Sequence, residues 1–373
     1  MKVKQIKLRE ILATNSKRTI EVEIETNKGK ARYGVPMGTS TGKYEVKSYP
    51  FEHVAKSFSL IRNNFISKNF SSQEEVDYEL KKIDGTNDFR NIGGNLALGI
   101  SASFLKAFAL ESNMEVFEYL GGRLMPRPLC NLAGGWHKSE IQEFLVFPKM
   151  QKSFKQEIFN IANIYLELEK LLEKEDKKFL HGKNLESAWT TSLKTERLLD
   201  LLLKHFQGRN IHLGIDAAGN YNKRSPKLQY AFISKLIDRY RLKYVEDPFK
   251  EDDFELFASL KRNNRDVFVC GDDLIATNLL RLEEALKREA VNAIIVKPNQ
   301  IGTITDVKKV VEHAKRHNVL TVMSHRSGET EDTLISHLAV GLECDMAKIG
   351  ISGERICKIN EFIRIEEKLA NFS

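Results

Sequence analysis

The chain has only four cysteines in 373 residues (Cys130, Cys270, Cys344 and Cys357), and no two of them stand in CxxC spacing. That scarcity argues against a disulfide framework or a zinc site and fits a reducing cytoplasm. No stretch approaches the ~20 apolar residues that a membrane span needs, so an integral membrane protein is excluded. The opening MKVKQIKLREIL alternates charged with apolar residues and lacks a signal-peptide core, so export is not expected. Nor is there a five-residue block of Lys and Arg. The net charge of +7 comes from 58 basic against 51 acidic residues interspersed along the chain. Such a mixed surface is solvated and suits an anionic small molecule; it does not call for nucleic acid. A composition 42% hydrophobic and 29% charged is that of a globular protein with a sizeable core.

Two rhythms divide what is there. Residues 3–9, 18–26 and 30–35 alternate apolar and polar, the period of half-buried antiparallel strands. A Gly/Ser/Thr loop, VPMGTSTGKYE at 35–45, follows them. Residues 52–120 then carry helical spacing, so the first part predicts an α+β module. The segment GGRLMPRPL at 121–129 marks a boundary, giving expected domains of 1–125 and 126–373. Beyond residue 200, short apolar runs each end in a polar residue and lead into a helical segment. Their polar ends are Asp216, Glu246, Asp272, Lys297, His325 and Lys348, at steps of 30, 26, 25, 28 and 23 residues. Each step is one strand, loop and helix, which predicts parallel strands and a TIM-type β/α barrel. In that fold the strand C-termini converge on one face. One Asp after a strand is usually a cap or a turn residue, and one Lys can simply snorkel. Six in succession point to a site, with three carboxylates offering hard oxygen ligands of the kind Mg²⁺ prefers.

The same residues resemble the enolase family over nearly the whole chain. MSHRSGETED at 323–332 is the most specific stretch. GDDLIATN at 271–278, VKPNQIGTITD at 296–306, YVEDPFKEDD at 244–253 and RIEEKL at 364–369 are similar to the family's pattern, as are IDGTNDFRNIGGNLALGIS, EYLGG and NLAGGWHKSEIQEFLVFP. The resemblance implies an α+β capping domain on a catalytic barrel, and reversible dehydration of 2-phosphoglycerate to phosphoenolpyruvate. It implies that Asp216, Glu246 and Asp272 bind a first Mg²⁺ and that Ser40 reaches a second. Lys297 is then the base, Lys348 contacts the substrate carboxylate, and Arg326 and Ser327 hold the phosphate. His325 stands beside the leaving hydroxyl, and His137, Gln142 and Glu143 come from a closing loop. A homodimer or higher homo-oligomer is also implied. The Mg²⁺ and Lys348 charges are expected to depress the base lysine's pKa.

The chain departs from the pattern at the general acid. No Gly-Asp-Glu-Gly-Gly string occurs; the downstream Leu-Lys-Thr places Glu186 at the acid position, flanked by Leu185, Ser187 and Ala188. Losing the glycines removes easy access to φ > 0. The closing loop and the 149–182 region are shorter than usual for the family, and GISGER is altered. Two other readings stay open: a diverged paralogue acting on another small carboxylate, and a non-catalytic enolase-like binding protein.

Overall fold

The computed structural model describes all residues except 39–41, 67, 135–139, 151, 220–222 and 372–373. The alternating segments form a three-stranded antiparallel sheet of β1 (Gln5–Leu12), β2 (Arg18–Glu25) and β3 (Lys30–Gly34), with β2 in the middle. Ile20, Val22 and Ile24 of β2 are buried beneath helix α3 (Gly94–Glu111), whose own residues are apolar nearly all round. Helices α1 (Phe51–Ile66), α2 (Gln73–Asp84) and α4 (Val116–Leu120) complete this layer. The Ser72 side chain caps the start of α2, and Gly85, in the left-handed region, ends it.

Eight strands then close a barrel: β4 (Arg127–Ala133), β5 (Glu143–Pro148), β6 (Ile211–Asp216), β7 (Tyr244–Glu246), β8 (Phe268–Gly271), β9 (Ala293–Val296), β10 (Leu320–Ser324) and β11 (Met346–Lys348). From β6 to β11 every neighbouring pair is parallel, and β11 closes in parallel on β4. Helices α7 (Pro226–Tyr240), α8 (Phe254–Asn263), α9 (Leu279–Lys287), α10 (Ile304–Arg316) and α11 (Leu334–Gly341) lie one between each of these strands.

The parallel order expected for the strands beyond residue 200 is present, while the β4–β5 and β5–β6 pairs, which involve the strands before that repeat, are antiparallel. The connection from β4 to β5 is too short to hold a crossover helix, so the chain must turn back as a hairpin. Helices α5 (Phe154–Glu175) and α6 (Thr195–Phe206) separate β5 from β6, and α12 (Ile356–Ala370) ends the chain against α5 and α11.

The small sheet's helices are pinned to the barrel near the start of α10. Asp77 of α2 accepts the Thr305 backbone N–H at 2.9 Å and its hydroxyl at 2.6 Å, while Lys81 pairs with Asp306 at 2.6 Å. Thr330 donates to the Gly34 carbonyl at 3.0 Å, and Val46 N–H to the Gln300 carbonyl at 3.0 Å. The loop at 42–46 is thereby held over one end of the barrel. The four cysteines are free, and among the described residues no helix is long and apolar enough to cross a membrane.

Candidate active site at the barrel mouth

Side chains alternate along a strand, so an apolar layer inside the barrel fixes what lies above it. That layer includes Leu129, Leu145, Tyr244, Cys270, Ile295, Val322 and Met346. Two residues further toward the mouth, the same phase gives Asn131, Glu246, Asp272, Lys297, Ser324 and Lys348. β5 runs the other way, so Glu143 precedes Leu145 and still reaches the mouth. Strand register sets Asp216 beside Glu246 and Glu143, and Ser324 beside Lys348. Below Asp216 the phase falls on Gly214, where a Cβ would approach the Cβ of Tyr244 to 2.9 Å. The glycine leaves room for the tyrosine ring, whose hydroxyl donates to Glu246 at 2.8 Å.

Two lysines neutralise this acidic ring. Lys348 Nζ lies 2.8 Å from Glu246, 3.0 Å from Asp216 and 3.2 Å from Glu143. Burial opposes its charge, but the three carboxylates outweigh burial and hold its pKa well above the usual lysine value. Burial and the neighbouring Asp216 push Glu246 upward. Lys297 pairs with Asp272, whose other oxygen accepts from Gln300 at 3.1 Å. Despite burial, Asp272 raises the pKa of Lys297. Arg326 and Lys348 act in the opposite direction, the one in which the cationic surroundings of the base were expected to act.

Asp216, Glu246 and Asp272 end three adjacent strands, face one space, and offer only carboxylate oxygens. This donor set fits a hard divalent cation such as Mg²⁺. Asp247, Asp272 and Asp273 also bring ligand atoms within 4.8 Å of one another. However, both Asp247 oxygens accept backbone N–H groups, from Asp272 at 2.9 Å and Asp273 at 2.8 Å. Asp247 thus shapes the turn that carries Asp272.

Glu186 reaches the same cleft from the segment between α5 and α6. Its Oε2 lies 3.7 Å from His325 Nε2 and accepts from Asn131 at 3.4 Å. The Asn184 side chain accepts the backbone N–H groups of Glu186 (2.9 Å) and Ala188 (3.0 Å), closing a tight turn. Ser187 takes φ 60°, so this turn does use the left-handed region, with a serine where glycine is the easy choice. Tyr165 from α5 holds the Ser187 carbonyl at 2.7 Å. Burial alone would raise the Glu186 pKa, but His325, Lys348 and Arg355 together hold it well below the ordinary range. Burial and the Glu186 charge drive Glu143 the opposite way. The two neighbouring carboxyl groups are thus pushed in opposite directions by their surroundings.

The cleft is closed by Gln142, whose backbone N–H donates to the Asp216 carbonyl at 2.9 Å, and by Arg326 and Ser327. Arg326 pairs at 3.0 Å with Glu45 from the loop over the mouth, and Glu45 also accepts the Gly42 N–H at 3.0 Å. The structure thus brings together Lys297, Glu186, His325, Glu143, Lys348, Arg326, Ser327, Gln142, Asp216 and Asp272 around one cleft, with Glu246 just beneath. Ser40 and His137 lie outside the described residues. Sequence reading did not single out Glu45, Asn131, Asp247 or Arg355. Glu45 stands inside VPMGTSTGKYE and Asp247 directly after Glu246, but nothing in the sequence marks the partners they find.

The fold and site define a β/α-barrel protein whose mouth gathers carboxylates and lysines under a small α+β layer. Residues 3–120 match the enolase N-terminal domain, and residues 209–373 match the enolase C-terminal TIM barrel domain. The chain is 36% identical to the enolase of Methanosphaera stadtmanae, covering 99% of this chain and 98% of that protein. It is 38% identical to the enolase of Methanocorpusculum labreanum (98% and 99% covered) and 36% to that of Methanothermobacter thermautotrophicus (98% and 97%). The chain belongs to the enolase family. It is an enzyme of that kind, a lyase of the phosphopyruvate hydratase class.

Proposed function

We propose that this protein catalyses the Mg²⁺-dependent, reversible dehydration of 2-phosphoglycerate to phosphoenolpyruvate. The observation that carries the reading is the meeting of Lys297, Lys348, Arg326, Glu186 and the acidic ring in one cleft, each from a different element. Asp216, Glu246 and Asp272 would hold the first metal ion, and Ser40 would serve a second. Bound there, Mg²⁺ would supply Lewis-acid charge against the substrate carboxylate.

Lys297 Nζ removes the proton on the carbon next to the substrate carboxylate, and Lys348 contacts that carboxylate. Lys297 must be neutral for this, so Asp272 has to give up its hold on the ammonium. Arg326 and Ser327 take the phosphate, for which the guanidinium fork is suited. The carbon–oxygen bond to the neighbouring hydroxyl then breaks, and the Glu143–Glu186 pair delivers the proton that makes it water. His325 stands beside that hydroxyl, and Gln142 lines the same cleft. Homodimeric or higher homo-oligomeric assembly follows from the family resemblance, and light scattering measures it directly.

The test is turnover: purified protein with 2-phosphoglycerate and Mg²⁺, following enol absorbance, with a known enolase alongside and a chelated sample as control. Absorbance should rise only with the metal. No rise while the known enolase works would overturn the reading. Deuterium uptake from solvent without dehydration would mark a paralogue that performs proton abstraction alone.

A further inference from the structure

The stretch His325–Arg326–Ser327 rests on a side chain that does not line the cleft. Arg355 ends a 3₁₀ turn, Gly353–Arg355, and is 0% exposed. Its Nε–H donates to His325 Nδ1 at 3.0 Å, and its Nη2 donates to the carbonyls of Arg326 (3.0 Å) and Ser327 (3.2 Å). A guanidinium has five N–H donors and no acceptor, and it does not deprotonate in proteins. His325 Nδ1 must therefore present its lone pair, and the neutral ring carries its proton on Nε2. That Nε2 has no hydrogen-bond partner among the described residues, although it is buried and the ring lines the cleft with Glu186 at 3.7 Å. The charged groups around the ring are Glu186, Arg355 and Glu329. Burial, reinforced by Arg355, holds its pKa down against the two carboxylates.

The same turn braces the loop across from it. Glu354 pairs with Arg355 Nη1 and accepts from Ser187 Oγ at 3.3 Å. Gly353 sits at φ 64°, and a Cβ there would overlap Ser187 Oγ. Lys183 donates to Ser352 Oγ at 3.1 Å. The altered segments, 183–188 and 350–355, thus pack on each other, and between them they hold both members of the His325–Glu186 pair.

We propose that Arg355 is a positioning residue that fixes His325 as its Nε2–H tautomer facing Glu186, while Glu354 ties the Glu186 loop to the same turn. The kinetic consequence rests on the dehydration proposed above. An N–H beside the leaving hydroxyl can donate to its oxygen, whereas a lone pair there cannot.

The ¹⁵N-labelled full chain tests this without substrate. Long-range ¹H–¹⁵N spectra separate the two ring nitrogens, and the spectrum of His325→Gln identifies the His325 signals by difference. The wild type should show Nδ1 as a bare acceptor and Nε2 as N–H; a proton on Nδ1, or an imidazolium, overturns the proposal. Arg355→Met should mix the tautomers and lower kcat about tenfold or more, with KM for 2-phosphoglycerate shifted less than about threefold. Arg355→Lys, which keeps a donor, should recover part of both. A pure Nε2–H ring in Arg355→Met overturns the assignment. If that variant does not fold, the wild-type and Arg355→Lys spectra decide. An inactive wild type with the Nε2–H ring would sink the dehydration reading and leave this one standing.

Discussion

The mouth of the barrel is built in two ways. From β6 to β11 its residues are set by strand register: each but Asp216, which stands over Gly214, lies two positions above a buried side chain of the inner layer, on a parallel strand locked to the next. On the other side, from β4 to the start of α6, the chain reverses twice, and Glu186 stands on no regular element. Its position depends on side chains, with Asn184 closing the turn, Tyr165 holding a carbonyl, and Asn131 and His325 meeting the carboxylate. Register tolerates change in the outward-facing residues between its key positions. A loop held by individual hydrogen bonds loses its geometry when one of them is removed.

Substitutions on the two sides should show this contrast. The largest effect belongs to chemistry on the register side. Lys297→Ala should lower kcat about 10³-fold or more, with circular dichroism and melting little changed. A well-folded variant that keeps activity would remove Lys297 from the base role. Next comes Lys348→Met in chelator, which leaves Glu143, Asp216 and Glu246 buried without their shared cation. Denaturant titration should show a loss of about 3–5 kcal/mol; a loss under ~1 kcal/mol would mean the acidic ring relaxes on its own.

The irregular side predicts smaller, pH-dependent losses. Asp176, at the end of α5, accepts from the Thr191 hydroxyl at 2.7 Å, from Ser192 N–H at 2.7 Å and from its hydroxyl at 2.5 Å. Burial opposes its charge, but these bonds bring its pKa down to about 2. A folded-state pKa below the unfolded value stabilises above pH ~4, and that stability is lost as pH falls through 4 toward 2. Asp176→Asn should therefore cost about 1 kcal/mol near neutrality, allowing for solvent screening, and the gap should narrow below pH 4. A gap independent of pH would contradict the assigned cause. Smallest of all, Ser187→Gly relieves the left-handed serine but gives up its contact with Glu354 and adds chain freedom. Melting should place the net change within about 1 kcal/mol.

The same contrast explains what could be read in the sequence. Asp216, Glu246, Asp272, Lys297 and Lys348 were legible because strand, loop and helix recur at nearly constant length, leaving a polar residue at each strand end. His325 was legible for the same reason. The reversal of β5 was not: EFLVFP is buried along its whole length and reads the same in either direction. Glu45 and Arg355 were hidden for another reason. Each is an ordinary charged residue locally, and its role comes from a partner some 30 or more positions away, Arg326 or His325. Ser187 illustrates a third limit: a left-handed turn expected to need glycine is held by tertiary contacts around a serine.

The reversal of β5 bears on where this chain can tolerate deletion. A strand running backward starts at the mouth and finishes at the base, where Lys149 and Met150 dock on Asn210 at the foot of β6. Residues lost just beyond that foot are lost from the end of the barrel opposite the cleft. The segment from 149 onward therefore begins at the end away from the cleft, and it acts on the reacting groups through α5, whose Tyr165 holds the Ser187 carbonyl beside Glu186.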